Sequence, residues 1–196
     1  MVRFDEGLRD VFVRMQTSEV PEDRFIIVDI DEHAIQEVGR WPWPRGKVAD
    51  LIEALKLDYQ ANKIALDIVF PNRGDASGDQ RLALLVEHLP VTTAQVLDYA
   101  QDRADTLTEG KLSGDQFGLT SADLLDAKTR STRHLSASGY IANHFVFSKA
   151  PCTGNIGYVP DPDGVLRRLP TLTTFGSHLY LGLADAMLRC STAPNT

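Results

Sequence analysis

The chain is poor in cysteine: two residues, Cys152 and Cys190, in 196. Two cysteines exclude a disulfide scaffold, and without a C-x-x-C pair there is no thiol metal or redox motif. In an oxidising compartment they could pair, tying a late loop to the last helix; two unpaired thiols are the alternative, and the sequence leaves both open. Positive charge is also in deficit. Lysine and arginine number 20 against 27 aspartates and glutamates, a formal net charge of -7. Such a surface repels phosphate backbones, and the only basic clusters, Arg40 to Arg45 and Arg167-Arg168, are too small for a nucleic-acid footprint. Five histidines (His33, His88, His134, His144 and His178) show no ligand spacing such as H-E-x-x-H. No metal or cofactor is expected. No apolar run approaches the roughly 20 residues that cross a bilayer, and no secretory signal is present. At face value this describes a soluble cytoplasmic protein; it equally fits a domain lying between membrane helices.

What is present is the pattern of one α/β domain. Phe4, Leu8, Val11, Phe12 and Met15 recur at helical spacing, which predicts an amphipathic first helix fading at Thr17-Ser18. Pro21-Glu22-Asp23 reads as a turn. The continuous apolar run Phe25 to Ile30 suits a strand buried on both faces of a parallel sheet. Asp31 is placed to cap a short helix ending at Gly39. Trp41-Pro42-Trp43-Pro44 is extended, and Pro44 opens a helix carrying Val48, Leu51, Ile52 and Leu55 to about Leu57. Lys63 to Phe70 reads as a second buried strand, which makes a βαβ unit with the first. Asp79 starts a helix with Leu82, Leu85, Val86 and Leu89, followed by a strand over Val91 to Tyr99. Residues 101 to 135 are polar, with one short helix around Ser121 to Lys128. Tyr140 to Phe147 is another strand. Asp161-Pro162-Asp163-Gly164 between the extended arms Asn155–Pro160 and Val165–Pro170 predicts a β-hairpin. Leu179, Leu183, Ala184, Met187 and Leu188 mark a terminal amphipathic helix. The expected architecture is a mainly parallel central sheet flanked by helices, with a C-terminal hairpin and amphipathic terminal helices. The expected division is a first helix over residues 1–20, a single domain over 21–190 and a polar tail over 191–196.

Four blocks carry a family resemblance: Ile27-Val28-Asp29-Ile30-Asp31-Glu32, Gly39-Arg40-Trp41-Pro42-Trp43-Pro44-Arg45, Ala65-Leu66-Asp67-Ile68-Val69-Phe70 and Asp161-Pro162-Asp163-Gly164-Val165-Leu166-Arg167-Arg168. In this order and spacing the chain resembles the type-two CHASE domain, the cyclase- and histidine-kinase-associated sensory extracellular module, from about Asp5 to Leu188. It departs from that pattern at Lys56 to Asn62, where relatives tend to be rich in alanine and glycine. The resemblance implies a non-enzymatic ligand-sensing domain on the periplasmic side of the bacterial cytoplasmic membrane. Flanking transmembrane helices would join it to a cytoplasmic kinase, cyclase or cyclic-di-nucleotide output domain. Its expected partners are a small-molecule, ion or protein ligand, the membrane, and a second copy in a homodimer; nucleic acid is not among them.

The residues give two readings of the strand-end acids. Asp29 and Asp31, two apart, point to one face of a strand, and Asp67 ends the neighbouring one. Ligands of open α/β sheets bind outside the carboxyl ends of strands, so the three could hold a divalent cation or a cationic group. The structural alternative stands ahead: Asp31 caps a helix, and Asp29 or Asp67 pairs with Arg45 or Arg40. Trp41 and Trp43 could stack on a ligand but better suit a rigid lid. The candidate ligand-binding set is Asp29, Asp31, Asp67, Trp41, Trp43, Arg45 and Arg73; no catalytic residue is expected. Two other functions compete. Asp29-x-Asp31 resembles the nucleophile and acid of magnesium-dependent phosphohydrolases of the haloacid-dehalogenase kind, although His33 stands where that family expects Thr or Val. A purely dimerising structural module is the other.

Overall fold

A computed structural model describes residues 2–18, 20, 22–100, 106–114 and 135–190. The helix expected at Ser121 to Lys128, the tail 191–196 and the side chain of Phe4 lie outside the described residues. The chain divides into two compact units, Met1–Trp41 and Pro42–Thr196.

In the first unit, α1 spans Val2–Gln16. Thr17 closes it by donating its hydroxyl to the Arg14 carbonyl at 2.6 Å. Leu8, Val11, Phe12 and Met15, the predicted apolar face, are exposed. Residues 25–30 form no strand, and Ile26 and Ile27 are 86% and 93% exposed. The expectation of a buried strand here is therefore corrected, and with it the first βαβ unit. Apolar composition records a capacity for burial, but a strand exists only where a neighbouring edge accepts its hydrogen bonds. The next signal holds. Asp31 accepts a hydrogen bond from the Ala34 amide at 2.8 Å and caps α2 (Glu32–Val38). Gly39, at φ 118°, ends the helix with its N–H on the Ile35 carbonyl, a conformation that favours glycine.

The second unit opens with α3 (Arg45–Leu57), which buries Val48, Ala49 and Ile52. Pro44 precedes the helix rather than opening it. Gln60 takes a left-handed φ of 55° in the stretch where the sequence departs from the family pattern. Strand β1 is only Ile64–Leu66, so Asp67 to Phe70 lie beyond its end. Helix α4 (Ala76–His88) begins three residues earlier than expected because Asp75 caps it, accepting from the Gly78 amide at 2.8 Å. Its Leu82 and Val86 are buried, as the spacing requires. The two helices meet closely: a Cβ on Gly78 would come 2.6 Å from the Gly46 amide nitrogen.

Strand β2 (Val91–Asp98) is the hub of a five-stranded sheet. It pairs in parallel with β1, Ile64 opposite Val91. It also pairs in parallel with β6 (Cys152–Asn155), Thr92 opposite Cys152 and Gln95 opposite Asn155. Beyond these, β5 (Gly139–Ile141) pairs antiparallel with β2 and parallel with β3 (Thr108–Glu109). The chain is thus an α/β fold with a mostly parallel sheet, and β1–α4–β2 supplies its parallel crossover. A second sheet joins β4 (Leu135–Ser136), β7 (Leu172–Phe175) and β8 (His178–Leu181). Helix α5 (Leu183–Arg189) follows β8.

Three further expectations are revised. The strand predicted at Tyr140 to Phe147 ends at Ile141, and Phe145–Phe147 is a 3₁₀ turn. The Asp161–Gly164 turn forms, with Gly164 N–H on the Asp161 carbonyl at 2.8 Å, but its arms are not strands. The incoming arm is already engaged by β2, since the Ile156 amide donates to the Gln95 carbonyl at 2.8 Å. The hairpin lies later, at β7–β8, turning through Gly176 at φ 60°. Finally, Cys152 and Cys190 form a disulfide, with both residues buried. Cys152 sits in β6 rather than in a loop.

Candidate functional site

Parallel strands deliver their following loops to one end of a sheet, which is where open α/β folds place ligands. Here the loop after β1 meets the first turns of α3 and α4 and the 3₁₀ turn. Asn143, 4% exposed, holds these parts together. Its Oδ1 accepts from the Phe70 amide and its Nδ2 donates to the Ala94 carbonyl, each at 2.8 Å. The His144 amide donates to the Phe70 carbonyl at 2.7 Å. Phe70 therefore has both backbone groups fixed, and its ring packs on Phe147 with centroids 5.7 Å apart.

Arg45 covers that ring. Its guanidinium carbon lies 4.3 Å from the Phe70 centroid, a cation–π arrangement. Its Nε is 3.5 Å from Asp79 Oδ1, and the two side chains are 12% and 8% exposed. This contact is an ion pair without hydrogen-bond alignment. The backbone supplies more: the Arg45 amide donates to Asp75 Oδ1 at 3.1 Å and the Gly74 amide to Asp79 Oδ2 at 2.9 Å. Asp75 thus serves two helices at once, accepting at the start of α3 and capping α4. Arg73, on the same loop, is exposed and lies over Phe145 at 5.9 Å, whose ring stacks against His144 at 4.2 Å.

The candidate residues separate accordingly. In the second unit, Arg45 and Arg73 belong to one loop cluster, Asp67 is exposed just past β1, and Trp43 is buried. The ionic partner of Arg45 is Asp79, which the sequence reading did not single out. In the first unit, Asp29 is exposed, Asp31 spends one oxygen on its helix cap, and Trp41 is half-buried. Asp29-x-Asp31 does not stand at the end of a buried strand, which removes the geometric basis of the phosphohydrolase reading. Among the described residues no three histidine, cysteine or acidic side chains gather in a way that could hold a metal ion.

Two polar networks were missed. Asn155 accepts at Oδ1 from the Leu97 and Gly157 amides, at 2.9 and 2.8 Å, and donates to the Tyr99 hydroxyl at 2.8 Å. Tyr99 in turn meets Thr173 Oγ1 at 2.7 Å, tying β7 to the main sheet. Burial raises the Tyr99 phenol above its ordinary value, opposed by the bonds from Thr173 and Asn155. Beside it, Gln95 accepts from the Ser113 amide at 3.3 Å, and Ser113, Thr153 and Thr93 form a hydroxyl chain with links of 3.2 and 3.0 Å. The available signal was the polar content of β2 itself, since Thr and Gln inside a buried strand need partners. On the surface, Arg167 forks onto Asp163 at 2.8 Å and reaches Asp161 at 3.0 Å. This guanidinium, helped by the Val165 amide, lowers the Asp163 carboxyl to about 2.

Among the described residues these clusters build a loop platform carrying an exposed cation on an aromatic ring. No curated protein and no solved structure matches the chain. A family model described as the CHASE2 domain matches residues 1–195. The chain belongs to the CHASE2 family, an extracellular sensory domain of signalling proteins.

Proposed function

We propose that the chain is the periplasmic input domain of a membrane-bound bacterial signalling protein, relaying ligand binding through its terminal helices to a cytoplasmic output domain. The observation that carries the compartment is the buried Cys152–Cys190 disulfide, which uses both cysteines of the chain. Such bonds persist in oxidising compartments and are rare where glutathione keeps thiols reduced. Quenching intact cells in acid and alkylating free thiols in denaturant tests this. Both cysteines should resist alkylation until a reductant is added; thiols that react at once would overturn the periplasmic assignment.

The ligand is read at the loop after β1. Arg73 and Asp67 are exposed there and suited to touch it, while Arg45, over Phe70 and paired with Asp79, supports the loop and Trp43 is buried. A cation seated on Phe145, with the exposed Asp67 on the same loop, suits a small polar solute carrying an anionic or zwitterionic group. In the first unit, Asp31 is structural, since it caps α2.

Homodimerisation is a second element of the reading, supported by α1. Leu8, Val11, Phe12 and Met15 are exposed on a helix whose unit buries little apolar surface, and such a face gains by covering. Sedimentation of the protein with Leu8→Lys and Met15→Lys should show a loss of dimer; an unchanged monomer would remove this element.

A further inference from the structure

Helix α5 is fastened to the sheet along its whole length, although it has only 7 residues. At its start, Gly182 bridges to Asn155, and its amide donates to the Thr171 carbonyl at 2.8 Å. In the middle, Ala186 is fully buried, and Gly154 of β6 lies so close that a Cβ there would run into the Leu183 backbone. The last turn of a helix leaves carbonyls without intrahelical partners. Here the Lys63 ammonium, one residue before β1, donates to the carbonyls of Met187 at 3.0 Å and Leu188 at 2.7 Å. Immediately beyond, Cys190 is bonded to Cys152 at the start of β6, 38 residues away in sequence. Three strands therefore hold one short helix: β6 by backbone contact and a covalent bond, β1 through Lys63, and β2 by packing.

We propose that the Cys152–Cys190 bond is the coupling element that makes α5 and the β1–β2–β6 core one mechanical body. A displacement leaving through α5 is then a displacement of the sheet, because the end of the helix cannot part from β6 unless a covalent bond opens. The signalling consequence rests on the input-domain reading above; the coupling is a property of the fold and is tested without a ligand.

The experiment is amide hydrogen exchange on the whole chain, oxidised, against Cys152→Ala/Cys190→Ala. In the oxidised protein the amides of Met187 to Cys190 should exchange as slowly as those of Thr92 to Leu97. In the double variant the helix end should exchange at least about tenfold faster while β2 stays slow, the behaviour of local opening. If helix and strand accelerate together, the bond is a global staple and the proposal is overturned. If the helix end does not change, packing and Lys63 hold it and the proposal is equally overturned. Lys63→Met, which keeps the bond, covers the case in which the alanine pair fails to fold. Its helix end should remain slow, and a helix end freed in the oxidised variant would contradict the covalent coupling.

Discussion

Arg45 and Asp79 meet 3.5 Å apart, with both side chains nearly withdrawn from solvent, where the first turn of α3 crosses that of α4. Removing one partner of a buried pair leaves an uncompensated charge and costs about 3–5 kcal/mol. Asp79 also accepts from the Gly74 amide, so its loss releases the loop that carries Arg73. Asp79→Ala should therefore lower the unfolding free energy read from denaturant titration by an amount in that range, while Arg73→Ala, an exposed change, should alter it by less than about 0.5 kcal/mol.

Asn143 gives a second stability prediction of a different kind. Its amide completes two backbone groups, Phe70 N–H and Ala94 C=O. Leaving a buried partner unsatisfied costs about 1–3 kcal/mol each. Asn143→Ala should destabilise by several kcal/mol, and Asn143→Asp by a comparable amount, since a carboxylate cannot donate to Ala94. Urea unfolding of the three proteins checks the pair; a near-neutral Asn143→Ala would show that the loop after β1 is held without it.

Much of this was legible in the sequence, and the failures have a common cause. Local signals performed well: Asp31 caps α2, Gly39 ends it, and the apolar spacing of Val48, Ile52, Leu82 and Val86 faces the core. These depend on residues within one turn of each other. Signals that need a distant partner did not. Phe25 to Ile30 has the composition of a buried strand but no ladder. The Asp161–Gly164 turn is real, yet its arms are not strands. Asn143 read as one residue of a strand, Asn155 as the start of an extended arm and Asp79 as the start of a helix, since their importance lies in partners on other elements.

The Asp163 carboxyl gives a pH prediction. Its folded value is lowered to about 2 from 3.8, chiefly by the Arg167 guanidinium. A depressed acid contributes stability above its unfolded value and loses that contribution as pH falls through the folded one. The stability from the Asp163–Arg167 contact should be present in full at pH 5 and be lost between about pH 4 and 2, with the carboxylate itself titrating near the lower value, and Asp163→Asn should flatten this part of the titration. Side-chain carboxyl shifts followed by NMR will report it; a midpoint at the ordinary value would mean that the fork does not form in solution.

The central claim is that the loop after β1 receives a ligand. The direct test is a thermal-shift screen of the purified chain against small anionic and zwitterionic solutes, alongside Arg73→Ala and Asp67→Ala. A ligand that binds only the folded state adds about 2.7 kcal/mol at a hundredfold excess over its Kd. The account predicts a solute that raises the Tm of the parent chain and fails to do so in Arg73→Ala, whose own Tm is unchanged. Stabilisation that survives both substitutions, or none across the screen, would contradict it.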